Sequence, residues 1–214
     1  IAVVTNVEAD HLDNYRDLED MQDAFVSFVN KVPFYGAVIL PSDCPGVRSA
    51  ADQIKRRTIT FGLSPTADVS VSDCVFEGLS CRFVLSYNGG RRQECALRVP
   101  GMHNVLNAAA AFAAALEMGV APDTIADGLE AFGGVERRFE IKSRGPVTMI
   151  DDYAHHPTEV RAVLTAARSG GFKRILVGFQ PHRYSRTYHL FEDFARSFGE
   201  ADVVLITEIY SAGE

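Results

Sequence analysis

The chain has 214 residues, 47% of them hydrophobic and 23% charged, with a formal net charge of −7. That composition excludes disorder and allows one large domain or two small ones. The acid excess argues against a sequence-independent nucleic-acid binder, while leaving open a nucleotide held by a few local arginines and backbone N–H groups.

Ile1–Thr5 is a short unbroken apolar run, which predicts a strand buried on both faces. Asp17–Val32 carries Leu18, Met21, Phe25, Phe28 and Val29 at helical spacing. Ala37–Leu40 predicts a second buried strand, Pro45–Arg56 a helix and Thr58–Phe61 a third strand. This alternation marks a parallel sheet with crossover helices. From Ala67 to Val99 polar and apolar residues alternate instead, and Asn88-Gly89 is a hairpin signal, so a small antiparallel sheet of three or four strands is expected.

Two helices should follow: the Ala-rich stretch His103–Met118, ended by Gly119, and Pro122–Phe132, ended by Gly133-Gly134. The segment SRGP (143–146) reads as a linker. Beyond it the alternation restarts through Val147–Asp151, Pro157–Ser169, Arg174–Phe179, Leu190–Phe198 and Val203–Thr207. The expected fold is α/β with a mostly parallel sheet, in two units, 1–142 and 143–214.

Cys44, Cys74, Cys81 and Cys95 form no CxxC pair, so reduced thiols in a cytoplasmic protein are expected. The longest strongly apolar run, Ala108–Leu116, falls short of the roughly 20 residues needed to span a bilayer, and IAVVTNVEADH is not a signal peptide. Membrane insertion is not expected. The chain opens on a core strand and stops at SAGE just after another, so both ends read as cut.

In parallel α/β sheets ligands bind beyond the carboxyl ends of the strands. Three polar clusters stand there: NVEADHLD (6–13), DDYAHHP (151–157) and QPHRYSR (180–186). In the first, Glu8, Asp10, His11 and Asp13 suit a divalent cation, or else Asp10 or Asp13 caps the next helix. In the second, two Asp, a Tyr and two adjacent His share one tight loop ahead of Pro157. In the third, Arg183 and Arg186 are planar forks matched to carboxylate or phosphate, or else a solvated basic turn. Arg137-Arg138 is open to the same two readings. Asn104 and Asn107 share a helical face and could read a purine edge, or Asn104 could cap its helix.

Taken together, NVEADHLD, GMHNVLNAAAA, GVERRFE, DDYAHHPTEV and FQPHRYSRT, in that order and spacing, resemble the Mur ligases. HHPTEV and QPHRYSR resemble the alanine-adding branch of that family. The resemblance covers nearly the whole chain. It implies an incomplete central ATP-binding domain over 1–142, P-loop-NTPase-like, and part of a Rossmann-like C-terminal domain over 143–214. It also implies a cytoplasmic ATP- and Mg2+-dependent ligase of peptidoglycan synthesis. That enzyme joins L-alanine to the carboxylate of UDP-N-acetylmuramic acid through an acyl phosphate, with no nucleic-acid partner.

Carried over by motif, His11 matches a magnesium-binding position. Asn104 and Asn107 match adenine-binding positions, with His103 adjacent. Arg138 matches an arginine near the nucleotide phosphates, and Asp152 a carboxylate that accepts from the ribose hydroxyls. Tyr153, His155, His182, Arg183 and Arg186 match the catalytic positions around the amino acid and the reacting carboxylate. One of those histidines would accept the ammonium proton.

Two departures qualify the match. No GxxxxGK[ST] occurs in the 214 residues, so this chain alone is expected to be inert. The stretch MQDAFVSF (21–28) holds no lysine where sister ligases carry a carbamylated one, which fits the alanine-adding branch. Rival readings are a murein tripeptide ligase, a folylpolyglutamate synthetase and, from another class, a metal-dependent hydrolase.

Overall fold

β1 (Ala2–Val3), β2 (Val38–Pro41) and β3 (Thr58–Gly62) pair in parallel, with Ala2 opposite Val38 and Val38 opposite Thr58. All four residues of β2 are buried, which is why its sequence shows no alternation. These strands belong to a computed structural model that describes residues 1–8 and 15–214.

Between β1 and β2 runs α1 (Leu18–Asn30). Its N-cap is Asp17, whose carboxylate accepts the Asp20 N–H at 2.9 Å, and Glu19 and Asp20 sit in the first turn, where the helix dipole favours negative charge. Met21, Phe25 and Val29 pack this helix against Val4, Val38 and Leu40.

The helix expected over Pro45–Arg56 is shorter. It is a single turn, α2 (Pro45–Arg48), followed by a 3-10 turn at Ala51–Gln53. Cys44 gives α2 no side-chain cap, and Gly46 within it is a poor helix former.

β3 pairs in parallel with β4 (Val69–Glu77), Phe61 opposite Val69. β5 (Ser80–Tyr87) and β6 (Arg91–Leu97) complete one six-stranded sheet in the order β1-β2-β3-β4-β5-β6. The links Gly78-Leu79 and Asn88–Gly90 are too short for crossovers, so β4, β5 and β6 meander antiparallel, as the alternating sequence predicted. They extend the parallel sheet rather than standing apart from it. Asn88, Gly89 and Gly90 all take positive φ (45°, 75° and 104°), which closes the β5–β6 turn.

α3 (Met102–Glu117) buries Val105, Ala108, Ala109, Phe112 and Ala113, and the small alanines allow a close approach. The Phe112 ring meets that of Tyr87 edge-on at 5.2 Å. α4 (Pro122–Ala131) packs along β6.

The remaining elements build the second part of the chain. β7 (Glu140–Ser143) and β8 (Met149–Asp151) pair antiparallel, Glu140 opposite Asp151, so SRGP, expected as a linker, connects two paired strands. α5 (Pro157–Ser169) follows, then β9 (Leu176–Phe179), α6 (Tyr184–His189), α7 (Phe191–Ala195) and β10 (Val203–Ile206). β9 and β10 are parallel, with Leu176 opposite Val203 and Phe179 opposite Ile206. Phe139, Val160, Leu164, Ile175, Phe179 and Phe194 form their core.

Two compact units result. One comprises Ile1–Val75, Arg82–Leu97 and His103–Ala131; the other comprises Phe76–Cys81, Arg98–Met102 and Phe132–Glu214. All four cysteines are free thiols. No helix among the described residues is long and apolar enough to cross a membrane.

Candidate active site

In the second unit the chain leaving β9 and the chain leaving β10 stay paired beyond the ends of the strands. Thr207 N–H donates to Phe179 O at 3.0 Å, Tyr210 N–H to Pro181 O at 2.9 Å, and Arg183 N–H to Tyr210 O at 2.8 Å. His182 and Tyr210 form a parallel bridge there, which holds QPHRYSR at the carboxyl end of β9. Arg183 caps α6 from φ +73°, a region that disfavours side chains. One helical turn on, Arg186 is buried to 8% exposure, and its Nη1 lies 3.4 Å from His182 Nδ1.

A second loop runs from β8 into α5. Asp152 accepts Phe139 N–H on Oδ2 at 2.7 Å and Ala154 N–H on Oδ1 at 2.8 Å. Tyr153 N–H donates to Arg137 O at 2.7 Å, and the Arg137 guanidinium lies 4.5 Å from the centre of the Tyr153 ring, a cation–π contact. His156 is the N-cap of α5, and Glu159 closes a capping box behind it.

Glu159 serves more than the cap. Its Oε2 accepts His155 N–H at 2.9 Å and His156 N–H at 3.1 Å, while Oε1 accepts from Arg138 Nη1 at 3.2 Å. Burial alone would raise the Glu159 pKa. The His155 N–H bond, the charge of His155 and Arg138 outweigh it and leave the carboxyl below its ordinary value.

These loops set rings in a row. Tyr153 and His155 are 5.0 Å apart between centroids, His155 and His182 6.1 Å, and His182 and Tyr210 5.5 Å. His182 is held below its ordinary pKa, by burial first and then by Arg186, His155 and Arg183, with Glu214 opposing. Glu214 accepts Ser185 N–H at 3.0 Å and the Ser185 hydroxyl, and those bonds hold its carboxyl below the usual range.

The structure thus brings together Arg138, Asp152, Tyr153, His155, His182, Arg183 and Arg186 within one unit. His103, Asn104 and Asn107 belong to the other unit, on α3, the first two half-buried and Asn107 exposed. His11, the expected magnesium ligand, lies outside the described residues. Among the described residues no group of three or more His, Cys, Asp or Glu is placed to hold a metal ion.

Sequence reasoning missed Glu159 and Tyr210. Only half of a capping-box signal marks the first, Pro157 and Glu159 at the N1 and N3 positions, with His156 standing where Ser or Thr is usual. Nothing local marks the second, which reaches His182 only through the register of β9 against β10.

Two family models match the chain: the Mur ligase middle domain over residues 1–115, and the Mur ligase, glutamate ligase domain over residues 137–214. The chain belongs to the Mur ligase family. Within it, the chain is 51% identical to the UDP-N-acetylmuramate–L-alanine ligase of Solibacter usitatus, covering 100% of this chain and 46% of the relative. It is 47% identical to the enzyme of that name from Geotalea uraniireducens, covering 100% and 47%. Among solved structures it is similar to the UDP-N-acetylmuramate-alanine ligase of Thermotoga maritima, with 31% identity and a TM-score of 0.78 over 99% of this chain and 46% of that one. The chain spans about half the length of the curated relatives it matches.

Proposed function

We propose that this chain is part of an ATP-dependent ligase that joins L-alanine to the carboxylate of UDP-N-acetylmuramic acid, a step of peptidoglycan synthesis. The observation that carries this reading is the grouping of Arg183, Arg186, His155, His182 and Tyr153 in one unit of a chain that is, over its own length, 51% identical to part of a ligase of that name.

ATP phosphorylates the sugar-linked carboxylate, and the amine of alanine attacks the acyl phosphate. The tetrahedral intermediate then collapses with loss of phosphate. Arg183 and Arg186 bind the alanine carboxylate and the charge that builds on the acyl phosphate. Asn104 and Asn107, with His103 beside them, take the adenine, Asp152 the ribose hydroxyls and Arg138 the phosphates. His11 is the proposed ligand for Mg2+. The 214 residues contain no GxxxxGK[ST] phosphate loop, so turnover is assigned to the full ligase and not to this stretch by itself.

The test is a chimera in which these 214 residues replace the matching half of the Solibacter usitatus ligase. Phosphate release is measured with ATP, Mg2+ and UDP-N-acetylmuramic acid, offering L-alanine, a murein tripeptide or glutamate in parallel. Release that depends on L-alanine is expected. A folded chimera that ignores alanine, or prefers the tripeptide, overturns the proposal.

A further inference from the structure

The two histidines in the ring row have different hydrogen-bond partners on the same ring nitrogen, Nδ1. His155 Nδ1 lies 2.8 Å from Tyr153 O. A carbonyl oxygen only accepts, so this nitrogen must carry the proton, which leaves Nε2 with the lone pair. The Glu159 carboxylate supports that choice from behind, with Oε2 3.5 Å from the same Nδ1. His182 Nδ1 instead faces Arg186 Nη1 at 3.4 Å. A guanidinium only donates, so here Nδ1 must be the acceptor and Nε2 the nitrogen that carries hydrogen.

Resting on the ligase reading above, we propose that His155 and His182 are locked in opposite tautomers, so that His155 Nε2 accepts the ammonium proton of alanine while His182 Nε2–H donates to the reacting acyl group. The proton moves from the ammonium to His155 Nε2, and the freed nitrogen lone pair forms the bond to the acyl carbon. On collapse of the intermediate the C–O bond to phosphate breaks with its electron pair going to the phosphate oxygen, and the second proton of the newly bonded nitrogen passes to that departing phosphate, which leaves a neutral amide. His182 keeps its proton throughout and stabilises the oxygen on which charge develops.

Glu159 is then a positioning residue. It already binds two main-chain N–H groups and Arg138, so its carboxylate is fixed where it faces His155 Nδ1. A ligating or catalytic imidazole whose second nitrogen is held by a carboxylate or carbonyl keeps one tautomer and one ring orientation, and loss of that partner costs tenfold or more. His155 is partly accessible, its side chain 22% exposed, as a group that must meet a substrate amine requires.

The test has a spectroscopic arm and a kinetic arm. Histidine-ring 15N spectra of this 214-residue chain near pH 8, assigned with His155→Gln and His182→Gln, report the tautomers directly. Nδ1 of His155 should be pyrrole-type and Nδ1 of His182 pyridine-type. The same tautomer on both rings, or free exchange at His155, overturns the proposal. Glu159→Gln keeps an oxygen that can close the capping box but removes the carboxylate. It should leave the Tyr153 O bond and with it the His155 tautomer in place while lowering the basicity of Nε2, so that in the chimera kcat for alanine falls by about tenfold or more with KM within a few-fold. An unchanged kcat in E159Q overturns the role of Glu159. If E159Q fails to fold, the wild-type spectrum alone decides. A chimera that ignores alanine sinks the ligase reading while the spectra still settle the tautomers; equal tautomers in an active chimera do the reverse.

Discussion

Phe139 donates its main-chain N–H to Asp152 Oδ2 at 2.7 Å, and it does so from a backbone φ of +47°. A bulky residue held in left-handed conformation costs on the order of 1 kcal/mol or more and persists only when its surroundings over-determine it. Here the Asp152 bond and the burial of the Phe139 ring in the core of the second unit supply that determination. Asp152→Ala strands two N–H donors, those of Phe139 and Ala154, and should lower stability by about 2–4 kcal/mol. Urea unfolding followed by circular dichroism measures it. A loss under about 0.5 kcal/mol would show that this carboxylate does not hold the loop.

Arg183 poses the same question for the second loop, since it caps α6 from φ +73° and ψ 135°. Comparing Arg183→Gly with Arg183→Ala isolates the backbone, because both remove the guanidinium and only alanine keeps a Cβ. The glycine variant should be the more stable by about 1 kcal/mol, the relief of strain exceeding its greater freedom when unfolded. Both variants should lose alanine-dependent turnover in the chimera. A glycine variant less stable than the alanine one would mean the conformation at Arg183 is not strained.

What the sequence disclosed follows from how local each signal is. The parallel strands were legible because β2 is buried on both faces and reads as an unbroken apolar run, and β4–β6 because one face of each is wet. DDYAHHP and QPHRYSR stood out because strand ends concentrate polar residues. The pairing of His182 with Tyr210 was not legible, since it depends on registering β9 against β10 across 28 residues of chain. The role of SRGP was misjudged for a related reason. A Gly-Pro segment looks alike in a linker and between paired strands, and only the pairing of Glu140 with Asp151 separates them. The turn of helix at Tyr184 was hidden because Arg183 starts it from a conformation that its residue type does not announce.

Alkaline pH offers a test in the first unit. Burial pushes the Cys95 thiol up to about 11. A raised folded-state pKa means that the contribution to stability is complete below the unfolded value of 9.0 and is lost as pH climbs through about 11. Unfolding midpoints should therefore fall between pH 9 and 11 in the wild type and fall less in Cys95→Ala, which lacks the titrating thiol. At pH 8 a thiol reagent should leave Cys95 unmodified in the native chain and modify it in urea. Rapid native labelling of Cys95 would contradict the burial.

Gly46 is the position where the first unit should tolerate least. It is buried at the start of α2, and a Cβ built there would stand 2.2 Å from Val7 O and 3.3 Å from Val7 Cβ. The first obstacle is backbone of the segment that continues from β1, so no rotamer change can clear it. The same segment is tied to the turn before α2, where Cys44 Sγ receives Val7 N–H at 3.5 Å. Gly46→Ala must therefore push α2 and the Asn6–Glu8 segment apart. A loss of about 3 kcal/mol is expected, at the upper end for an added methyl in a packed interior, although alanine favours a helix over glycine by about 1 kcal/mol. Hydrogen exchange should locate the damage, with protection falling at Val4 and Val38 and holding at Val160 and Leu164 in the second unit. A G46A chain as stable as wild type would mean that α2 can shift away from Val7 at no cost.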